Sequence, residues 1–174
     1  METRKILAAL GIICVGAAMR LLPHAPNFAP VGALALFSGY NLRGYKGIIL
    51  PIGIMLVSDI FLGFHDTVVF VYASFIVIFL LGRILGQKKF ALHGARLFGT
   101  SLVGSVLFFI ITNWGVWYAT DLYSRNITGL MNSYTMALPF FRNTVASDII
   151  YNFAFFYGFI WLGTFSSKFS YRLK

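Results

Sequence analysis

Apolar residues run through this chain in long blocks rather than in the short alternations of a water-facing fold. Six blocks stand out: Ile6–Leu22, Pro30–Leu42, Gly47–Gly63, Thr67–Gly86, Leu97–Ala119 and Asn143–Phe165. A helix needs roughly 20 mostly apolar residues to cross a hydrocarbon core of ~30 Å, so five blocks are long enough and the second is short. The second block predicts a tilted span, a span extended by the preceding loop, or a partly re-entrant segment. Between the fifth and sixth blocks, Ile127, Leu130, Met131, Tyr134 and Leu138 recur at helical spacing as far as Pro139. That pattern predicts a short amphipathic helix on the outer surface, ended by the proline, acting as interfacial packing or as a lid. The expected fold is an all-α integral membrane protein with six transmembrane helices. No repeat and no linker rich in Gly, Ser or Pro divides residues 1–174, so a single transmembrane domain is expected.

Composition narrows the class. Hydrophobic residues make up 59% of the 174, and charged residues 11%. A soluble domain carries roughly 25% charged residues. With a mean hydropathy of +0.80, the chain has too few charges to coat a globule, which excludes a soluble enzyme, a disordered chain and a secreted disulfide scaffold. The lone Cys14 excludes an internal disulfide and a Cys-based zinc site, and reads as a small buried apolar side chain. Arg4, Lys5 and the Ala17-Ala18 pair give the first block some likeness to a signal peptide. Its removal would leave an odd number of spans and spoil the charge alternation.

The net charge of +9 would suggest nucleic acid in a soluble protein, but its distribution points to topology instead. With the N-terminus inside, eleven of the fourteen basic residues fall in cytoplasmic segments: Arg4, Lys5, Arg43, Lys46, Arg83, Lys88, Lys89, Arg96, Lys168, Arg172 and Lys174. Arg20, Arg125 and Arg142 remain outside. Such a bias predicts both termini in the cytoplasm and no nucleic-acid partner. Residues 87–96 form a basic cluster that reads as a topology anchor beside anionic lipid, with a docking surface for a cytoplasmic partner as the alternative.

Ionisable groups inside a bilayer are costly, so their depth carries information. At ~1.5 Å per residue, Arg20 and Asp59 lie ~21 and ~18 Å above the inner ends of their spans, and Asn113 ~24 Å. Asp148 lies ~6 Å below the outer start of the last block. Asn152 shares its face one turn deeper. Four helices thus carry polar groups in the outer half of the membrane, which predicts an outward-facing pocket closed beneath. Asn27 and His24 sit at its expected mouth, in a loop that Pro23, Pro26 and Pro30 keep out of helix. Trp114, Trp117 and Tyr118 lie at the same level, with Phe140 and Phe141 in the outer loop. The expected substrate-binding set is therefore Arg20, Asn27, Asp59, Asn113, Trp114, Trp117, Phe141, Asp148 and Asn152. Plainer readings exist: an Arg20–Asp59 structural ion pair, Asp148 in the favourable first turn of its own helix, and an interfacial belt of tryptophans. Small residues on the second span (Ala35, Gly39) and the fifth (Thr100, Ser101, Gly104, Ser105) predict close helix packing.

No P-loop, H-E-x-x-H or G-x-S-x-G sequence occurs, and no nucleophile–base pair can be named, so no enzyme, cofactor or metal site is expected. Four segments are distinctive: PHAPNFAPVGALALFSG from Pro23, SDIFLGFHDT from Ser58, FFIITNWGVW from Phe108 and LPFFRNTVASD from Leu138. They resemble an uncharacterised bacterial family of transport proteins. That family is similar in size and span count to the substrate-capture (S) components of energy-coupling factor (ECF) vitamin transporters. The resemblance covers most of the chain. It implies an ECF S-component-like six-helix fold in the bacterial cytoplasmic (inner) membrane, holding one small organic molecule beneath the outer loops. It also implies delivery by toppling, driven by an ECF-type transmembrane scaffold and two ATPase subunits. S components often carry alanines four apart on the first helix, where this chain has Ala8, Ile12 and Gly16; a solitary carrier is the other arrangement. The expected function is capture of a small vitamin-like solute for uptake. The alternatives are a non-transporting membrane scaffold or cell-envelope assembly subunit and, less well supported, an intramembrane enzyme.

Overall fold

A computed structural model describes residues 2–42 and 44–171, with side chains described for 6–42 and 44–161. Arg4, Lys5, Arg43, Lys168, Arg172 and Lys174, which enter the charge bias, lie outside the described side chains. Six α-helices follow one another: α1 (Glu2–Leu21), α2 (Val31–Asn41), α3 (Ile49–Leu62) entered through a 3-10 turn (Tyr45–Ile48), α4 (Val68–Gln87), α5 (Gly94–Ala119) and α6 (Ile127–Tyr171). The described residues contain no strand. Tyr45–Leu62, Val68–Gln87 and Gly94–Ala119 are each long and apolar enough to cross a membrane, which marks the chain as a membrane protein. Large apolar side chains such as Leu7, Val15, Ile60, Phe61 and Val69 face outward. That surface suits hydrocarbon rather than water.

α2 is the centre of the bundle, touching α3, α4, α5 and α6 and packing most extensively on α4. Val31 to Leu36, Ser38 and Gly39 are all buried. A helix that is apolar all round has no face to offer water and is stable only when enclosed. Its 11 residues span only ~16 Å, about half of a hydrocarbon core. The chain enters α2 through an irregular loop, residues 22–30. Asn143 of α6 donates to the Pro26 carbonyl (3.0 Å) and Ser147 to that of Ala29 (2.8 Å), holding residues 22–30 against the bundle.

Backbone contact between α2 and α4 rests on glycines. A Cβ on Gly39 would strike the Phe79 carbonyl, one on Gly82 that of Leu36, and one on Gly86 that of Tyr40. Gly82 and Gly86, four apart on α4, form a small-residue face that the sequence reading passed over in favour of Ala35 and Gly39. On α1, Ile13, Gly16 and Ala17 take the buried face, with Gly16 packed by Ile54 and Gly53 of α3 packed by Ile13. Cys14 therefore points away from the bundle and is exposed, contrary to the expected buried position.

The expected surface helix ended by Pro139 is not separate. Residues 127–171 form one helix with Pro139 inside it. α6 runs antiparallel along α5: Ser133 bonds the Asn113 carbonyl (3.3 Å), Tyr134 that of Ile110 (2.9 Å), and Tyr157 lies by the Gly94 amide (3.1 Å). Tyr134 and Phe141, on either side of the proline, both pack on Phe109. Tertiary contact on both flanks overrides the local preference of proline to end a helix. Asn126 starts the helix by accepting from the Gly129 amide (2.8 Å), an N-cap.

Candidate functional site

Two buried carboxylates and one loop fix the helix ends around a central cavity. The first carboxylate is Asp59, near the C-terminus of α3. Arg20, in the last turn of α1, donates to its Oδ1 (2.9 Å) and also to the Ser58 hydroxyl. Tyr72, early in α4, donates to its Oδ2 (2.9 Å). Ser58 in turn donates to its own helix at the Ile54 carbonyl (2.7 Å). The network ties α1, α3 and α4 together where a single buried charge would be costly.

The second is Asp148 on α6, which is 4% exposed. Ser105 of α5 donates to its Oδ2 (2.7 Å), and the Ala33 amide of α2 bonds it as well. A Cβ on Gly32 would lie 2.5 Å from Oδ1, so glycine is needed for the carboxylate to reach the first turn of α2. The plainer of the two sequence readings has Asp148 in the favourable first turn of its own helix. Because α6 begins at Ile127, that reading is corrected: Asp148 serves the positive N-terminal end of another helix, α2, whose own N-cap residue, Pro30, makes no side-chain cap.

The loop before α2 turns at residues 25–28, closed by the Phe28 amide on the Ala25 carbonyl (2.9 Å). Pro26 and Asn27, the latter at φ 63, occupy the two central positions. Proline followed by a left-handed Asn is the pattern of a type II turn. It carries the Asn27 side chain to the cavity wall.

The cavity encloses about 430 Å³. Small-molecule sites run to ~300–1,000 Å³. Its wall draws on all six helices: Arg20 of α1, Val31 and Gly32 of α2, Met55 of α3, Val71, Phe75 and Ile78 of α4, Phe108, Phe109, Thr112 and Asn113 of α5, and Phe140, Phe141, Thr144 and Asp148 of α6. His24, Asn27, His65 and Thr67 stand where the loops between α1 and α2 and between α3 and α4 meet it. It lies at the end of the bundle remote from Lys46, Lys88, Lys89 and Arg96. Aromatic rings supply contact area, while Asn113 and two threonines supply directional polar atoms.

Of the nine expected site residues, Arg20, Asn27, Asn113, Phe141 and Asp148 line this cavity. Asp59 lies behind Arg20, engaged by it and by Tyr72. Trp114 is 43% exposed, stacked on Tyr118 (5.2 Å) and set edge-on to Phe70 (5.4 Å). Trp117 donates its indole N–H to the Ser124 carbonyl (3.0 Å) in the following loop. Both tryptophans sit off the wall. Asn152 is buried one turn below Asp148, and its Oδ1 accepts no hydrogen bond.

Sequence reasoning passes over Tyr72, Phe75, Phe109 and Thr144, and reads His65 beside Asp66 as a solvated loop pair, whereas His65 lines the cavity. Tyr72 had a detectable signal, a phenol one turn inside a span at the depth of Asp59. The phenylalanines had none, because rings facing a cavity and rings facing lipid look alike in sequence. Among the described residues no three His, Cys, Asp or Glu side chains gather as metal ligands. Residues 1–170 match a family of unknown function, DUF6580, and the chain belongs to that family. No curated protein and no solved structure matches it.

Proposed function

We propose that this DUF6580 member is a transport protein of the bacterial cytoplasmic membrane, capturing a small, vitamin-like organic solute at an outward-facing pocket for uptake. One observation carries the reading: a cavity of about 430 Å³, with aromatic and polar walls, at the end of the bundle opposite the basic loops. By the positive-inside rule, the basic end faces the cytoplasm, the cavity faces out, and both termini lie inside. In this arrangement α2 and the loop before it make the second of six crossings. A short helix that begins at mid-depth beside a cavity is a feature of solute carriers, where irregular backbone is tolerated because it lines a polar space. Arg20, Asn27 and Asn113 would give directional contacts to the solute, and Phe109, Phe140 and Phe141 its apolar enclosure.

An ECF-type scaffold with ATPase subunits is one source of drive; a solitary carrier is the other. The register Ala8, Ile12, Gly16 is split between environments, since Gly16 is packed by Ile54 while Ile12 is exposed. That favours the solitary arrangement.

The test is to purify the protein from its native membrane and identify co-bound small molecules by mass spectrometry. The same is done for Asn113→Ala and Phe141→Ala, whose side chains line the cavity. A single solute class that both variants lose supports capture. Absence of any bound solute, or full retention by both variants, refutes it. The specific rival is a non-transporting scaffold, favoured by the engagement of Asp59 and Asp148 in helix packing. It predicts a stable protein partner on crosslinking in the native membrane.

A further inference from the structure

At the end of the bundle remote from the cavity, α4 and α5 leave a groove of about 270 Å³ between them. Leu81 and Leu85 line it from α4, Gly99 and Val103 from α5, and Phe90 and Arg96 stand at its end. A Cβ on Gly99 would meet no atom within 4 Å, so this glycine serves no close helix contact and its missing side chain widens the groove.

The turn beside the groove is held in one shape. The Phe90 amide bonds the Leu85 carbonyl (3.0 Å) and the Lys89 amide that of Gly86 (3.1 Å), a Schellman pattern closing α4. Tyr40 donates its hydroxyl to the Phe90 carbonyl (3.0 Å), and the Gly94 amide bonds the Tyr157 hydroxyl (3.1 Å), pinning the turn at both ends. The Arg96 guanidinium sits 5.0 Å above the Phe90 ring. Lys89 occupies the left-handed position of the cap, with φ 52. Glycine is the favoured residue there, so a lysine spends backbone strain on a charge. Among the described residues, the ion pairs formed are Arg20–Asp59 and Arg125–Asp121, and neither involves Lys88, Lys89 or Arg96.

An apolar slot with Arg96 at its end, and exposed Lys88 and Lys89 in the adjoining turn, complements an amphiphile with an acyl chain and an anionic head. We infer that this groove binds an anionic phospholipid, with an acyl chain along Leu81, Leu85 and Val103 and its phosphate at Arg96, Lys88 and Lys89. The inference needs the chain to be a membrane protein and is independent of whether it carries a solute.

Native mass spectrometry of the full chain, in detergent titrated with phosphatidylglycerol or phosphatidylcholine, tests it. The wild type retains one phosphatidylglycerol in preference to phosphatidylcholine. Each basic residue near a membrane surface contributes about a fivefold preference, so Lys89→Gly and Arg96→Ala each lower the ratio by about that factor. Lys89→Gly keeps or improves the fold, because it relieves the left-handed strain, so its loss of preference cannot come from unfolding. Gly99→Trp fills the groove and removes the retained lipid without lowering the melting temperature. Equal retention of the two lipids by the wild type, an unchanged ratio in both charge variants, or full retention by Gly99→Trp overturns the assignment. So does displacement of the lipid by a co-purifying protein segment.

Discussion

Arg20 and Asp59 should respond unequally to mutation, because the two ends of their ion pair differ in access to water. The Arg20 side chain is 16% exposed and opens on the cavity, whereas the Asp59 side chain is 2% exposed. Arg20→Met strips the buried carboxylate of its cation and leaves it with the Tyr72 hydroxyl. Breaking a buried pair in this direction costs about 3–5 kcal/mol. Asp59→Asn removes the charge at the inaccessible end and keeps its one oxygen for Arg20. Its amide N–H2 turns to the Tyr72 hydroxyl, which then accepts instead of donating, while the guanidinium retains Ser58 and reaches the cavity. The loss is then that of charge-assisted bonds becoming ordinary ones, about 1–2 kcal/mol.

Combining the two removes both charges, so the double variant should be more stable than Arg20→Met alone, with a coupling of about 1–3 kcal/mol. Equilibrium unfolding in mixed micelles with increasing dodecyl sulfate gives the four free energies of the cycle. Equal losses in the two single variants, or an additive double variant, would refute the claim that burial of Asp59 sets the energetics. Tyr72→Phe extends the cycle: its cost, about 1 kcal/mol in the wild type, should rise in Arg20→Met, where the phenol is the carboxylate's remaining side-chain donor.

Other contacts make further predictions. Gly39→Ala, whose Cβ strikes the Phe79 backbone, should destabilise by about 1–3 kcal/mol because neither helix can yield there. Gly104→Ala meets only Ile78 Cγ2 at 3.8 Å and should be neutral or stabilising, by up to about 1 kcal/mol of helix propensity; thermal melts in detergent separate the two. Ser105→Ala removes one donor from buried Asp148 and should cost about 1–3 kcal/mol, with Ser105→Thr recovering part of it in the same unfolding assay. Asn143→Ala combined with Ser147→Ala frees the loop at residues 22–30 from α6, and hydrogen exchange at the Asn27 and Phe28 amides should rise while exchange in the middle of α5 stays unchanged.

The apolar blocks located the helices well, since a stretch that satisfies all its backbone bonds in an apolar medium has few forms other than a helix. Depth alone brought Arg20 and Asp59 to one level, and they are hydrogen-bonded. Pro139 misled because its local rule is true of an isolated segment, whereas α6 is held on both sides of it by Phe109. The enclosure of α2 was illegible for a deeper reason. In water, an all-apolar helix must be buried in protein; in a bilayer, lipid satisfies the same residues, so composition no longer separates core from surface. What separates them is backbone proximity, written in Gly39, Gly82 and Gly86. The tie from Asp148 to α2 was illegible because its bonds include a backbone amide on another helix, a partner that no sequence pattern marks. The two outer carboxylates that drew attention by their rarity hold helices in place. Asp59 stands off the wall, and Asp148 reaches it already bonded to Ser105 and α2. Contact with a captured solute would therefore fall to Arg20 and to residues whose types are unremarkable in a membrane chain: Asn27, Asn113, Thr112, Thr144 and the phenylalanines around them. At such a wall the carboxylates are already engaged and Asn113 faces the cavity directly, so substitutions at Asn113 should change which solute is retained more than those at Asp59 do.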